Sequence, residues 1–158
     1  MFLLISAKYV LDTNVFINMQ RHHPLDVFGS LWGKMAAIID AGIAISSDEV
    51  YDELSIGDDA LVQWAKERNG AFIASGADVQ NMVRDILKNY PALVTGTRKA
   101  NGADPFVISL AKLRDLTLVS DETRAGSDQP VKIPNVCSAY GVRVIKFVDF
   151  LREERISI

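Results

Sequence analysis

The sequence predicts an α/β fold organised on a mainly parallel sheet. Three observations point to it. Short apolar runs of strand length alternate with longer stretches whose apolar residues recur at helical spacing. Two of the short runs, Tyr9-Val10-Leu11 and Leu116 to Val119, end abruptly in polar, acid-bearing segments, Asp12-Thr13-Asn14 and Ser120-Asp121-Glu122. Helix start and stop residues flank the longer stretches: a Ser-x-x-Glu capping pattern at Ser46 to Glu49, Pro105 at a first turn, and Gly42 as a stop.

Taken in order, Lys8 to Leu11 reads as the first strand, and residues Asn14 to Met19 suit a short helix. Arg21-His22-His23-Pro24 breaks that pattern. Phe28, Leu31, Trp32, Met35, Ile38 and Ile39 define a second helix ending at Gly42. Ile43 to Ile45 is a second strand. Ser46 opens a helix with Val50 and Leu54 on one face, and Ile56 to Asp59 is a turn, with Asp58-Asp59 a turn and cap. Leu61, Trp64 and Ala65 mark another helix, and Ala71-Phe72-Ile73 is too short to assign. Asp78 to Tyr90 carries Val79, Met82, Val83, Ile86, Leu87 and Tyr90 on one stripe, ended by Pro91. Residues 95–102 read as a basic loop. Asp104-Pro105 opens a further helix, Leu116 to Val119 is a strand, and a Gly/Ser/Pro-rich loop follows. A short helix near Ile133 to Tyr140, a strand Val142 to Ile145 and a terminal helix Val148 to Glu153 complete the chain.

A chain of 158 residues with 49% hydrophobic and 23% charged residues fits one folded domain, residues 1–158, rather than a disordered chain. Met1 to Ile5 is apolar but too short for a signal peptide or membrane span, and reads as a leading extension or a lengthened first strand. A single cysteine, Cys137, permits no internal disulfide and fits a reducing compartment, so the expectation is a cytoplasmic protein without membrane association. The net charge of −3 argues mildly against a general nucleic-acid-binding surface. It leaves room for a nuclease, in which clustered carboxylates make the total negative.

Four acids stand out by position. Asp12 follows the first strand and Asp121 the third, Glu53 lies on the helix leaving the second strand, and Asp104 opens the helix leading into the third. In a parallel sheet, strand ends and the helix starts that follow them share one edge, so Asp12 and Asp121 are expected to meet there. Carboxylates crowded into one crevice repel one another unless a cation joins them. Mg²⁺ or Mn²⁺ takes carboxylate oxygens and keeps waters for chemistry, which suits phosphodiester hydrolysis. Each acid also has a plain alternative: Asp12 and Asp104 as helix caps, Glu53 on a solvated face, Asp121-Glu122 as a turn. His22-His23 lacks a third ligand and reads as an exposed loop. Cys137 reads as a buried small residue. No Gly-rich phosphate loop or G-x-S-x-G motif is present.

The ordered set resembles the PIN-domain family. Val10-Leu11-Asp12-Thr13-Asn14-Val15-Phe16-Ile17 is similar to its opening motif, and Val50-Tyr51-Asp52-Glu53-Leu54 to its second. Asp104-Pro105-Phe106-Val107-Ile108-Ser109-Leu110-Ala111 is similar to the third, and Leu118-Val119-Ser120-Asp121 to the fourth. The tail from Lys132 to Ile145, with Trp32 and Trp64, resembles a prokaryotic subgroup of DUF4411 type. The resemblance implies a three-layer α/β/α sandwich with a central, mainly parallel sheet. It implies a Mg²⁺- or Mn²⁺-dependent ribonuclease, often the VapC-like toxin of a toxin–antitoxin pair, acting on RNA, homodimeric and silenced by a cognate antitoxin. Carried over, Asp12, Glu53, Asp104 and Asp121 hold the metal and form the catalytic set, with Thr13, Asn14 and Ser120 orienting it. Arg98, Lys99 and Arg124 lie outside the motifs and are expected to contact phosphates, because they flank the third and fourth acids. Two other readings stand beside this one. A haloacid-dehalogenase-like phosphatase would use Asp12 but wants a second acid at position 14, where Asn14 stands. A non-catalytic PIN-like module would bind RNA or protein only. A phospho-receiver module would need adjacent early acids and a later lysine, a pattern the chain lacks.

Overall fold

The computed structural model describes residues 6–94 and 102–158. Five strands, β1 (Tyr9–Leu11), β2 (Ala44–Ser47), β3 (Phe72–Ile73), β4 (Thr117–Val119) and β5 (Val144–Ile145), form one sheet in the order β3-β2-β1-β4-β5. Every pairing is parallel. Eight helices surround it among the described residues: α1 (Thr13–His22), α2 (Gly29–Asp40), α3 (Asp48–Leu54), α4 (Asp59–Lys66), α5 (Ala77–Asn89), α6 (Asp104–Arg114), α7 (Ile133–Tyr140) and α8 (Phe147–Glu153). The α/β class and the parallel sheet are therefore as the sequence predicts, and helices on both faces of the sheet match the sandwich that the resemblance implies.

The strand order explains where a site forms. From β1 the chain moves outward to β2 and β3, then returns to β4 on the other side of β1. Right-handed crossovers then place the outward helices on one face and the returning ones on the other. Accordingly α1, α3 and α4 pack on one another, while α6 lies across β1, β2 and β4 with α5 and α7 against it. The direction of travel reverses between β1 and β4, and the carboxyl ends of strands at such a switch point form a crevice. Leu11 pairs with Val119, so Asp12 and Ser120 emerge side by side at that crevice. The backbone ladder continues one step further, with the Asp12 N–H donating to Val119 O at 3.0 Å.

The core beneath is continuous. Val10, Leu11, Val15, Phe16, Val50, Leu118 and Val119 are all within 1% of full burial. Near-complete burial of β1 on both faces is what a central parallel strand requires, and its unbroken apolar run reflects that. Trp32 packs edge-on against Trp64 at 5.0 Å and donates its ring N–H to His23 O at 2.7 Å. Both tryptophans are thus core residues.

Several boundaries differ from the sequence reading. The cap of α3 is Ser47, whose hydroxyl accepts from the Glu49 N–H at 3.2 Å, and not Ser46. Ser46 is still in β2, because β2 extends to pair with Phe72 and Ile73, and its hydroxyl donates to Leu11 O at 2.6 Å. Phe72-Ile73 is a true edge strand, fixed by that pairing and by Phe72 rings packing on Phe16 and Tyr51. Asp58 caps α4 through the Ala60 and Leu61 N–H groups, as expected. Gly42 adopts φ +80°, the left-handed conformation that suits its place after α2.

Candidate active site

Asp12 is the pivot of the crevice. It is 2% exposed and caps α1, its Oδ1 accepting from the Thr13 N–H at 2.8 Å. Its Oδ2 accepts from the Ser120 hydroxyl at 2.9 Å. Asp12 thus caps α1, as its plain reading has it, and is also tied to the neighbouring strand end.

Ser120 is the hub that fixes it. Its oxygen accepts from Asn14 Nδ2 at 3.3 Å and from the Glu122 N–H at 3.3 Å. A hydroxyl has one proton and two acceptor positions. With both acceptor positions taken, the single proton goes to Asp12. The orientation of Asn14 follows from the same network, because its Oδ1 accepts from the Asp121 N–H at 3.1 Å. Asn14 and Ser120 thus belong to one hydrogen-bond network with Asp12.

Asp104 faces the pair from α6. It is 5% exposed and sits at the first position of that helix, not at the cap, which is Ala103. The reading of Asp104 as an ordinary N-cap is overturned: among the described residues its carboxylate accepts no hydrogen bond, and Pro105 removes one N–H it would otherwise have met. Burial, followed by the charges of Asp12, Glu122 and Glu53, pushes Asp104 well above the ordinary carboxylate range. Burial also raises Asp12, against the lowering hydrogen bond from Ser120, with Glu122 and Glu53 adding repulsion.

Glu53 arrives from the last turn of α3. Its Oε1 accepts from the Ala103 N–H at 2.9 Å, so it reaches the crevice and is not on a solvated face. Among the described residues its buried Oε2 has no hydrogen-bond partner, nor has the Thr13 hydroxyl. Burial raises the Glu53 pKa, while Thr13 and the Ala103 N–H lower it. Thr13 therefore sits close enough to act on Glu53 electrostatically, without closing a hydrogen bond of normal geometry.

The fourth acid is placed differently from expectation. Asp121 does not turn its carboxylate toward Asp12. Its Oδ1 accepts from the Phe147 N–H at 2.9 Å, at the start of α8, and its Oδ2 from Asn18 Nδ2 at 3.5 Å. Glu122 is the acid whose charge acts on Asp12, Asp104 and the buried Cys137. The cause is pleating: side chains along an extended segment alternate, so Ser120 and Glu122 share a side that Asp121 does not. Glu122 was missed by the sequence reading, although counting two residues on from Ser120 points to it. Its Oε2 accepts from the Ile133 N–H at 3.0 Å, at the first residue of α7. Lys146 Nζ donates to the backbone oxygens of Asp121 and Glu122 at 2.8 and 2.7 Å and pins both residues from behind.

Of the expected phosphate contacts, Arg124 is exposed beside Glu122, with Nη1 donating to Ser138 Oγ at 2.7 Å. Arg98 and Lys99 lie outside the described residues. His22 ends α1 and His23 follows it, with the His23 ring packed on Phe28 at 4.9 Å, away from the acids' network. Cys137 is fully buried, and its thiol is pushed up to about 12 by burial and by Asp12 and Glu122. It is a packed small residue and no nucleophile.

The donor set admits a hard cation. Among the described residues no three His, Cys, Asp or Glu side chains converge tightly enough to enclose a metal ion by themselves. What is present is a pair, Asp12 and Asp104, with Glu53 and Glu122 in electrostatic range. Mg²⁺ is commonly held by one or two carboxylates and several waters, which matches this pair. The unpartnered Asp104 carboxylate and the orphaned Glu53 Oε2 are the oxygens such an ion or its waters would satisfy.

No curated protein matches the sequence. The fold is similar to that of one chain in the crystal structure of VapBC2 from Rickettsia felis, bound to a DNA fragment from their promoter. The TM-score is 0.54 at 13% identity, with 90% of this chain and 99% of that chain covered, a likeness of fold. No helix among the described residues is long and apolar enough to cross a membrane. A family profile described as a domain of unknown function (DUF4411) matches residues 9–158, and the chain belongs to that family.

Proposed function

We propose that this chain is a Mg²⁺- or Mn²⁺-dependent endoribonuclease and the toxin of a toxin–antitoxin pair. One observation carries the reading: Asp12 and Asp104, both buried, are brought together at the switch point of a parallel sheet, and among the described residues no cationic side chain is paired to either. Buried like charges are costly unless neutralised, and evolution of a purely structural crevice would favour an apolar pair. Asp12 and Asp104 would hold the cation, with Glu53 and Glu122 taking bound waters. A divalent ion bound there would polarise a phosphate oxygen and supply an activated water.

The chain's own residues do the rest. Ser120 holds Asp12 in one orientation, and Asn14 holds Ser120. Glu53 ties α3 to the start of α6 and fixes the approach of Asp104. Arg124 holds a positive charge beside the acids for the substrate backbone. The phosphatase reading gains nothing from the geometry, since Asn14 is committed to Ser120 and to the Asp121 N–H.

The test is cleavage of single-stranded RNA oligonucleotides by purified protein in Mn²⁺, in EDTA, and by Asp104→Asn. Cleavage in Mn²⁺ alone, lost in the variant, is the expected result. Equal behaviour of wild type and Asp104→Asn overturns the reading. The homodimer is checked by sedimentation. The antitoxin is checked by co-expression with the protein encoded beside this one, which should suppress cleavage.

A further inference from the structure

The wall of the crevice changes sign at Glu122. On the side of Asp12 it is acidic. On the other side lies a cavity of about 220 Å³, lined by Glu122, Thr123, Arg124 and Lys146 over an apolar floor of Pro134 and Val144. That volume is below the roughly 300–1,000 Å³ typical of a drug-sized ligand, so a small group is the fitting occupant.

The two cations are held ready. Lys146 gives two of its three ammonium protons to the Asp121 and Glu122 carbonyls, which anchors it and leaves one donor. Arg124 is anchored through one nitrogen on Ser138, leaving the other donors of its fork. Neither forms an ion pair among the described residues. The one carboxylate in the lining, Glu122, has an oxygen committed to the Ile133 N–H. Thr123, an exposed residue of the lining, carries a hydroxyl that can donate as well. An ammonium, a guanidinium fork and a hydroxyl around a small space suit a phosphate.

We infer that this cavity seats the phosphodiester adjacent to the one that is cleaved, with Lys146 and Arg124 as positioning residues. The inference rests on the nuclease reading and deepens it. The substrate is then a single strand held at two successive phosphates, one over Asp12 and Asp104 and the next over Lys146. Such a grip fixes which bond lies over the carboxylates, so it governs the register of cleavage.

The test is a methylphosphonate scan. RNA oligonucleotides carrying one neutral linkage at successive positions are bound and cleaved in Mn²⁺ by wild type, Lys146→Met, Lys146→Arg and Arg124→Gln. In wild type, neutralising one linkage beside the cleaved bond should weaken binding about ten-fold, the scale of one charge-assisted hydrogen bond. Lys146→Met and Arg124→Gln should erase that position's penalty, while Lys146→Arg retains it. Arg124→Gln leaves the carbonyl bonds of Lys146 intact, so it reads the pocket even where Lys146→Met loosens the loop. Identical scans in wild type and both charge-removing variants overturn the pocket alone. Absence of any cleavage by wild type in Mn²⁺ overturns the nuclease reading and the pocket with it.

Discussion

Glu53 Oε1 accepts a 2.9 Å hydrogen bond from the Ala103 N–H, joining two acidic motifs 50 residues apart in sequence. The bond sits next to a buried Oε2 that has no partner among the described residues. Glu53 is therefore half structural and half chemical, and the halves separate by substitution. Glu53→Gln keeps an oxygen for Ala103 and removes the charge. It should leave stability within about 0.5 kcal/mol and lower Mn²⁺-dependent cleavage at least about ten-fold. Glu53→Ala strands a buried N–H and should cost about 1–3 kcal/mol in urea denaturation. Equal destabilisation by the two variants would show that the bond contributes nothing.

The buried pair makes a pH prediction with a definite sign. Asp12 rises from an ordinary 3.8 to about 7, chiefly through burial, and Asp104 rises further for the same reason. The unfolded chain therefore ionises first. These groups favour the folded state fully below about pH 4, and that contribution is lost as pH climbs through the folded values. In EDTA, stability should fall between pH 4 and 8, and Asp104→Asn should flatten the fall and gain about 1–2 kcal/mol at pH 8. Thermal melts across that range decide it. An Asp104→Asn variant less stable than wild type at pH 8 would contradict the electrostatic account. Added Mn²⁺ should oppose the decline in wild type, since it binds the ionised carboxylates.

Ser120 offers a third test, because its bond to Asp12 lowers the Asp12 pKa against the pull of burial. Ser120→Ala removes that donor and also strands Asn14 Nδ2 and the Glu122 N–H. The expected loss of stability is about 2–3 kcal/mol. The rising limb of the pH–rate profile should move to higher pH, since Asp12 then ionises later. Ser120→Thr keeps the hydroxyl and should restore the wild-type profile. A profile unmoved by Ser120→Ala would reduce Ser120 to a purely structural residue.

Much of this arrangement is legible in the chain before folding. A strand ending at Asp12 shows itself because Tyr9-Val10-Leu11 is buried on both faces and so reads as an unbroken apolar run. The helix of Asp104 shows itself through Pro105 at its first turn. What stays hidden is set by partners distant in sequence. Phe72-Ile73 becomes a strand only because Ser46 and Ser47 lie alongside it. The same pairing keeps Ser46 in β2 and hands the capping role to Ser47. Two acids in a row, Asp121-Glu122, cannot be ranked by composition, since only the direction of the strand end decides which faces Asp12. The role of Lys146 is invisible for the same reason, because its partners are backbone oxygens 24 and 25 residues earlier.

The ranking of those two acids is the fourth prediction. Asp121 holds the first N–H of α8 and touches Asn18, whereas the charge of Glu122 reaches Asp12 and Asp104. Glu122→Gln retains an acceptor for the Ile133 N–H and loses only the charge. It should weaken Mn²⁺ binding in calorimetry about ten-fold or more, as removal of a group beside a metal site commonly does. Asp121→Asn retains an acceptor for Phe147 and should change that affinity less than about three-fold, because its charge lies off the crevice. Asp121→Ala should instead cost about 1–2 kcal/mol of stability through the lost anchor of α8. The reverse ranking, with Asp121→Asn abolishing Mn²⁺ binding and Glu122→Gln sparing it, would mean that Asp121 swings toward Asp12 when the ion binds. In that case the hydrogen bond to Phe147 would break on metal addition, and hydrogen exchange at the start of α8 would speed up.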